Sequence, residues 1–290
     1  MNRRNFLALA AATAAARARA AAPALTFGFS LYGMKSLGTE AAMKQVAEVG
    51  FDTVEWCLLP GYDAEPKNLT RGRRKSLAAM KPRVAALMEN LSLADAKQEP
   101  NHERLQRAFE VANDLAPVPP VETVLGGGEW DKVKTACRDR LGEWAKRAAD
   151  ARVVLAVKPH RFGAVNRPEH AVWLLEQVDS PWLKLVYDWS HFAHRELSMA
   201  ETIKQLAGRS AFVHIKDTVI VGGKAEFRLP GDAGNTDYPL MLKLLGEAGY
   251  AGDVCCEVSG MVSSKKDYDA VEAARRCYDN VAPAFGRPKK

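Results

Sequence analysis

The stretch VVLAVKPH at residues 153–160 is an extended apolar run that ends in polar side chains. Seven similar runs occur along the chain, and the starts of successive runs lie between 26 and 43 residues apart. An interval of this length holds one strand and one helix, so eight such units predict a single-domain α/β protein with a (β/α)8 barrel. The other runs are residues 25–33, 51–59, 84–93, 121–125, 185–188, 211–217 and 254–258.

An open, doubly wound sheet is the alternative architecture. Such a sheet often has a glycine-rich turn after its first strand. The first run here continues as Tyr32-Gly33-Met34-Lys35, which lacks that fingerprint. The barrel is therefore the favoured fold.

The segments between the runs predict helices. Ser198 with Glu201 three residues later forms a capping box, and Pro168 suits a first helical position. Gly50 suits the C-terminal end of a helix. One helix has an apolar face at spacings of three and four residues, made by Val133, Cys137, Leu141, Trp144 and Ala148.

The first 20 residues predict an export signal. Arg3 and Arg4 precede an alanine-rich apolar stretch, and no acidic residue occurs before residue 21. This order is typical of a secretory signal, and the arginine pair indicates the twin-arginine pathway; an alanine-rich N-terminal helix is the alternative. Because Ala18-Arg19-Ala20 fits a cleavage site, we expect removal of residues 1–20 and a barrel at residues 21–290 that works in the periplasm or is otherwise exported.

Composition and charge exclude several classes of protein. The chain is 47% hydrophobic and 26% charged, which is ordinary for a globular protein. Without the four arginines of residues 1–20 it has 37 basic and 35 acidic residues, so charge does not indicate nucleic-acid binding. No uncharged apolar run reaches about 18 residues, so we expect no stable membrane span. The five cysteines have no metal-type spacing and are predicted to be buried and unpaired.

Polar side chains follow the last four predicted strands, at the end of a barrel where catalytic groups lie. The sixth, seventh and eighth strands end in Asp188, His214 and Glu257, which we expect to converge on one mouth. Buried carboxylates need a partner, and a divalent cation held by Asp, His and Glu is a common one. His160 or His191 is expected to complete the ligand set. Mn²⁺ or Mg²⁺ suits two carboxylates, while the imidazoles also permit Zn²⁺ or Co²⁺.

From residue 25 to residue 286 the chain resembles the xylose isomerase-like TIM barrels. This family includes sugar-phosphate isomerases and epimerases and family 2 apurinic endonucleases. The motifs that carry the resemblance are YDWSHF at 187–192, FVHIKD at 212–217 and GYAGDVCCE at 249–257. In the ketose epimerases of the family, Glu, Asp, His and Glu from strands five to eight hold a metal, and Asp188, His214 and Glu257 match the last three. The resemblance implies that the metal binds the sugar carbonyl and a neighbouring hydroxyl while a carboxylate moves a proton at the adjacent carbon.

Lys158 stands where the family has the first metal-binding Glu. An ammonium group cannot coordinate a metal, and His160, on the same face of the strand, is one candidate for the missing ligand. A second interpretation makes Lys158 catalytic, either as a neutral base or as a cationic clamp on a substrate oxygen. A third is that the metal has been lost and the lysine occupies its place.

Further residues near the predicted mouth are candidates for binding the substrate. Glu55 and Glu89 end the second and third strands, and His191 follows the sixth. Arg228 lies in the segment after the seventh strand, which we expect to be a loop. The aromatic side chains that suit stacking on a sugar ring are Tyr32, Trp56 and Trp189.

These features predict an exported, metal-dependent isomerase or epimerase that abstracts a proton next to the carbonyl of a sugar or keto-sugar, with Lys158, Glu257 and His160 as catalytic groups. A lyase acting on oxidised glycosides uses the same enolate chemistry. A sugar-binding module that has lost its metal is the non-enzymatic alternative. A repair nuclease fits poorly, because strands two and three end in Glu55 and Glu89 where such enzymes need histidines. The expected partner is a small carbohydrate, and the oligomeric state is left open.

Overall fold

The computed structural model describes residues 25–92 and 99–290, and within them eight parallel strands close into a barrel. The predicted signal at residues 1–20 lies outside the described residues. The single-domain (β/α)8 architecture is thus confirmed. The barrel strands are β1 (Thr26–Ser30), β2 (Thr53–Cys57), β3 (Arg83–Met88), β4 (Val121–Thr123), β5 (Leu155–Val157), β6 (Leu183–Asp188), β7 (Ser210–Ile215) and, closing against β1, β10 (Asp253–Cys256).

Helices connect the strands on the outside of the barrel, as a right-handed strand–helix–strand connection requires. The helices are α1 (Thr39–Val49), α2 (Arg71–Ala78), α3 (Glu99–Asn113), α4 (Trp130–Ala151), α5 (Pro168–Val178), α6 (Met199–Leu206), α7 (Tyr238–Glu247), α8 (Gly260–Ser263) and α9 (Ala270–Val281). Short 3₁₀ helices span Leu31–Met34, Pro66–Asn68, Trp189–His191, Ala207–Arg209 and Ala282–Phe285.

The predicted helix signals are confirmed. Ser198 Oγ accepts a hydrogen bond from the N–H of Glu201 at 3.1 Å at the start of α6, and Pro168 is the first residue of α5. Gly50 ends α1 with φ +107°, a conformation that glycine adopts without steric cost. In α4, four of the five predicted face residues are buried, and the fifth, Val133, packs against the core.

A β-hairpin follows the seventh barrel strand, and it corrects the prediction that Arg228 lies in a loop. β8 (Asp217–Val221) pairs antiparallel with β9 (Lys224–Arg228), and Arg228 is the last residue of β9. Gly222 and Gly223 between the strands have φ values of +55° and +77°. A Gly-Gly pair with two positive φ values is a tight hairpin turn, which the sequence signals.

The barrel is filled and covered by apolar side chains. Trp56, Trp144 and Tyr187 are among the largest side chains that are fully buried. All five cysteines are buried and unpaired, as predicted. Among the described helices, none combines the length and the apolar character needed to cross a membrane.

Candidate active site

The register of the barrel strands brings Asp188, His214 and Glu257 together, as predicted. Asp188 of β6 lies opposite His214 of β7, and His214 lies opposite Cys255 of β10, two residues before Glu257. One ligand-type atom from each of the three side chains lies within 4.8 Å of the other two. All three residues are buried, so their charges must be compensated inside the protein.

Lys216, which the sequence did not single out, lies inside this cluster. Its Nζ atom donates to Asp188 Oδ2 and to Glu257 Oε2. Its position two residues after His214 puts both side chains on the same face of the chain, which is the signal that could have identified it. Only 3% of its surface is exposed, so the two carboxylates are its main source of stabilisation.

Lys158 enters the same cluster from the end of β5. Its Nζ lies 3.1 Å from Glu257 Oε1, 3.0 Å from His214 Nδ1 and 3.4 Å from Glu122 Oε1. The expectation that Lys158 faces the barrel mouth is met, since it is buried and lines the cavity there. Burial lowers its pKa, but the carboxylates of Glu122 and Glu257 outweigh that effect and raise it above the ordinary lysine value. Of the two predicted roles, the cationic one therefore agrees with its surroundings.

His214 is neutral and its two nitrogens have distinct partners. Nδ1 accepts from the ammonium group of Lys158, so the ring proton is on Nε2, which donates to Glu55 Oε2 at 3.0 Å. Ser30 Oγ also donates to Glu55 Oε2, at 2.5 Å. Burial is the main cause of the lowered pKa of His214, and Lys158 lowers it further.

Glu122 of β4 is a second residue that the sequence analysis missed. With Glu55 and His214 it forms another group of ligand-type atoms within 4.8 Å of one another. Among the described residues, Glu55 Oε1 and Glu122 Oε2 have no hydrogen-bond partner. The signal for Glu122 was a single charged residue inside the apolar run 121–125.

The four carboxyl groups around His214 fall into two classes. Burial tends to raise the pKa of Glu257 and Asp188, but Lys158 and Lys216 beside Glu257, and Lys216 beside Asp188, hold both well below the usual range. Burial raises the pKa of Glu55 to about 8 and that of Glu122 to about 7, with Lys158 only partly opposing it.

His160 and His191 lie together beside the cluster rather than in it. Their ring centroids are 4.1 Å apart, and His191 Nε2 lies 3.3 Å from Asp188 Oδ2 without a hydrogen bond of good geometry. Burial lowers the pKa of His160 to about 2 and that of His191 to about 4, so both rings are neutral at neutral pH. Neither belongs to a described group of three ligand-type side chains, so their role as metal ligands stays a prediction.

A cavity of about 190 Å³ opens above the cluster at the C-terminal end of the barrel. Pockets for drug-sized ligands measure about 300–1,000 Å³, so a cavity of this volume suits a smaller molecule such as a monosaccharide. Asp188 and His214 are not among its lining residues and lie beneath it. The polar side chains that line it are Tyr32, Glu89, Asn90, Glu122, Lys158, His160, His191, Lys216, Glu257 and Ser259.

Four of the candidate substrate-binding residues do not line the cavity: Glu55, Trp56, Trp189 and Arg228. Glu55 is fully buried and contacts His214 and Ser30 instead, so the expectation that it binds a sugar hydroxyl is not met. Arg228 pairs with Glu226 at 2.8 Å on the hairpin. Trp56 is fully buried in the core, so the expectation that it stacks on a ligand is wrong. Glu89 does line the cavity, and its carboxylate accepts from Arg104.

A divalent cation fits the cluster by donor type and spacing but not by charge. Asp188, His214 and Glu257 supply oxygen and nitrogen donors at suitable separations. The ammonium groups of Lys158 and Lys216, however, already contact Glu257 on both of its oxygens, and a cation bound there would lie beside two positive charges.

Comparisons with solved structures agree with the barrel. The chain is similar to the IolI protein solved with a zinc atom, with a TM-score of 0.73 and 20% identity, over 90% of this chain and 99% of that one. It is also similar to a 3-keto-D-glucoside 4-epimerase from E. coli, with a TM-score of 0.70 and 15% identity, over 89% and 99% of the two chains. For the predicted divalent cation, the ligand-type cluster of this chain gives partial support.

Comparisons of sequence identify the family. An inosose dehydratase from Mesomycoplasma hyopneumoniae strain 7448 is 24% identical over 156 aligned positions, in a match that covers 49% of this chain and 50% of that protein. The chain therefore spans about half the length of this curated relative. The family model described as xylose isomerase-like TIM barrel matches residues 43–279, and these include every residue of the cluster around His214. With the closed barrel and its polar mouth, this match shows that the chain belongs to the xylose isomerase-like TIM barrel family.

Proposed function

We propose that the protein is a carbohydrate enzyme that removes a proton from the carbon next to the carbonyl of a sugar or keto-sugar. Isomerisation or epimerisation is the expected outcome, and elimination from an oxidised glycoside would use the same first step. The observation that carries this proposal is that Lys158, Lys216 and Glu257 line one small cavity at the C-terminal mouth of the barrel. Cations beside a carboxylate are the groups that an enolate-forming step needs.

Glu257 is the proposed base. The lysines keep its carboxylate ionised, and at 6% exposure it is the most accessible of the carboxylates that line the cavity. In the step that we propose, the carbon–hydrogen bond breaks, the proton goes to Glu257, and the electron pair moves onto the carbonyl oxygen. The ammonium groups of Lys158 and Lys216 stabilise the oxyanion. His160 and Glu89 line the same cavity and would bind the hydroxyl groups of the sugar.

The names of similar proteins support this reaction class. One structural neighbour is named as an epimerase of a keto-glucoside and the curated relative as a dehydratase of an inosose. An epimerase and a dehydratase differ in the fate of the carbanion rather than in its formation. We therefore expect the substrate of this protein to carry a keto group on a polyhydroxylated ring.

We also propose that the protein is exported by the twin-arginine pathway and loses residues 1–20. The support is the Arg3-Arg4 pair ahead of an apolar segment without acids. Replacing both arginines by lysine should leave the precursor in the cytoplasm, as fractionation and N-terminal sequencing would detect. Normal export of that variant would contradict this assignment.

Proton abstraction can be tested without knowledge of the final product. The full chain is incubated in D₂O with a panel of keto-sugars, keto-glycosides and inososes, with and without added Mn²⁺, Mg²⁺, Zn²⁺ or Co²⁺. Deuterium that appears next to the carbonyl in NMR spectra reports the proposed step, and an absorbing enone reports elimination. Binding without exchange across the panel would contradict the enzymatic proposal and favour a sugar-binding module.

A matched pair of variants assigns the base. Glu257→Gln keeps the size of the side chain but removes the proton acceptor, so we expect exchange to fall by about 100-fold or more. Glu247→Gln makes the same change on an exposed position of α7 and should exchange at the native rate. Equal rates for the two variants would remove Glu257 from the mechanism.

A further inference from the structure

We propose that the ammonium groups of Lys158 and Lys216 replace the divalent cation in this barrel, and that they bind the substrate's oxygens without a metal. The part of this proposal that concerns binding of the substrate's oxygens rests on the function proposed above. The replacement of the cation rests only on the described contacts of the two lysines and can be tested without any substrate.

The first argument is that the ligand atoms of the Asp188–His214–Glu257 group, the one that matches the predicted metal site, are already engaged. Lys216 donates to Asp188 Oδ2 and Glu257 Oε2, and Lys158 lies 3.1 Å from Glu257 Oε1. His214 Nδ1, the nitrogen that lies 3.7 Å from Glu257 Oε2, accepts from Lys158 at 3.0 Å. A metal bound by Asp188, His214 and Glu257 would have to displace a hydrogen-bond donor from each ligand atom that it took. These donors are tethered in place by β5 and β7.

The second argument is the balance of charge. Two carboxylates, Asp188 and Glu257, face two ammonium groups, and His214 is neutral because its Nδ1 accepts a hydrogen bond. These four charged groups therefore balance one another. Adding a dication to these four groups would leave two positive charges in a site that excludes water, and only ionisation of the buried Glu55 and Glu122 would offset them, which is unfavourable.

The third argument is what the cavity presents to a ligand. Lys158 and Lys216 line it, whereas Asp188 and His214 lie beneath them. The described contacts of Lys216 use two of its three N–H donors, and its Nζ lies 5.1 Å from the ring centroid of Phe227, another lining residue. The longest contact of Lys158, 3.4 Å to Glu122, is the one that a substrate oxygen would replace. Two adjacent oxygens of a sugar can thus each meet one ammonium group.

Metal analysis of the native protein is the first test. The full chain is produced in medium supplemented with Mn²⁺, Zn²⁺, Mg²⁺ and Co²⁺, dialysed without chelator, and measured by inductively coupled plasma mass spectrometry. We expect well under one equivalent of any of these metals, and no change in melting temperature after treatment with EDTA. One equivalent of metal per chain, lost with a fall in melting temperature on EDTA treatment, would overturn the inference.

The second test restores a carboxylate. Lys158→Glu removes one ammonium group and adds one ligand oxygen. Changing a residue that only contacts a metal ligand already alters metal affinity by about 10–100-fold. We therefore expect the Mn²⁺ affinity, measured by calorimetry, to rise by about 100-fold or more. Lys44→Glu makes the same charge change on an exposed position of α1 and should not increase Mn²⁺ affinity. Native protein that already binds Mn²⁺ as tightly as Lys158→Glu would overturn the inference.

The two proposals fail in different ways. A metal-free native protein without exchange on any keto-sugar would leave the replacement of the cation standing and remove the proposed function. A native protein that needs one equivalent of metal for exchange would keep the proposed function and remove the replacement. Exchange that survives EDTA in a metal-free protein supports both.

Discussion

Two pairs of carboxyl groups flank His214, and they differ in charge although both are buried. Asp188 and Glu257 form one pair, and Glu55 and Glu122 form the other; none of the four is more than 6% exposed. The pKa values of the Asp188–Glu257 pair lie well below the usual range, while those of the Glu55–Glu122 pair are raised to about 8 and about 7. Burial raises the pKa in all four cases, so the difference comes from the neighbouring cations.

The positions of the two lysines account for this difference. Lys216 contacts both members of the Asp188–Glu257 pair, and Lys158 adds a contact to Glu257 at 3.1 Å. Between the two lysines and the Glu55–Glu122 pair, the one described contact is that of Lys158 with Glu122 at 3.4 Å. On one side of the barrel, the carboxylates of the Asp188–Glu257 pair are therefore held by ammonium groups. On the other side, the carboxyl groups of the Glu55–Glu122 pair have little contact with a cation.

Removing Lys216 should have the largest effect on stability. Lys216→Met keeps the apolar stem but leaves the Asp188–Glu257 pair with Lys158 alone, and breaking a buried ion pair costs about 3–5 kcal/mol. We expect the free energy of unfolding, measured with urea, to fall by about that amount. Lys204→Met on the exposed side of α6 should change it by no more than about 0.5 kcal/mol.

The result for Lys216 also tests the comparison between the pairs. If Lys216→Met and Lys204→Met unfolded at the same urea concentration, the contacts of Lys216 with the Asp188–Glu257 pair would contribute nothing to stability. The low pKa values of that pair would then need another cause.

Removing Lys158 should act mainly on turnover. Lys158→Met is expected to keep the fold, because Lys216 still compensates the Asp188–Glu257 pair, but to slow proton exchange by about 10²–10³-fold, as the loss of one oxyanion-stabilising donor does. Circular dichroism checks the fold and deuterium exchange checks the chemistry. A variant that exchanges at the native rate would make Lys158 structural and leave Glu257 to act with Lys216 alone.

The barrel and the convergence of Asp188, His214 and Glu257 could be predicted from the sequence because their signals are local. Each apolar run marks a strand, and Asp188, His214 and Glu257 are polar residues at the ends of such runs. Since strand ends of a closed barrel meet at one mouth, their convergence followed from the fold.

The lysine contacts could not be predicted in this way. Lys158 and Glu257 are 99 residues apart, and His214 and Glu55 are 159 residues apart. Nothing in the sequence next to a lysine specifies which carboxylate its ammonium group contacts across the barrel. Glu122 was missed because it is a single charged residue in an apolar run, and Lys216 was missed because it stands beside Asp217 at the end of its run, where charged residues are also typical of the edge of a strand.

Replacing a carboxyl group by its neutral amide should lower the free energy of unfolding more in the Asp188–Glu257 pair than in the Glu55–Glu122 pair. Both changes should be smaller than that of Lys216→Met. Asp188→Asn removes a charge that Lys216 contacts, and a hydrogen bond to a charged group is worth about 1.5–3 kcal/mol. Glu55→Gln replaces a carboxyl group that burial keeps largely protonated at neutral pH, so we expect a change below about 1 kcal/mol in the free energy of unfolding. Equal losses in the two variants would contradict the assignment of opposite charge states.

The smallest effect on stability is expected at Asp63. This carboxylate is accessible to solvent, so it shows whether a neighbouring cation can lower a pKa without burial of the whole group. Asp63 Oδ2 accepts from Arg73 at 2.5 Å and from the N–H and hydroxyl of Thr39 at 2.7 Å, and its side chain is 37% exposed. Partial burial raises its pKa, but the hydrogen bonds of Arg73 and Thr39 outweigh that and lower it to about 2.

The sign of the pH dependence follows from this direction. Because the folded pKa lies below the unfolded value of 3.8, the stabilisation by Asp63 is complete above that value and is lost as the pH falls through about 2. Asp63→Asn should therefore lower the free energy of unfolding by less than about 1 kcal/mol at neutral pH, since solvent screens an exposed pair. The difference from the native protein should shrink as the pH is lowered from about 4 to about 2 in urea titrations. The exposed Asp150→Asn is the control and should show no such convergence. A difference that widened in acid would mean that Arg73 does not hold Asp63 ionised, and the same explanation for the Asp188–Glu257 pair would lose its support.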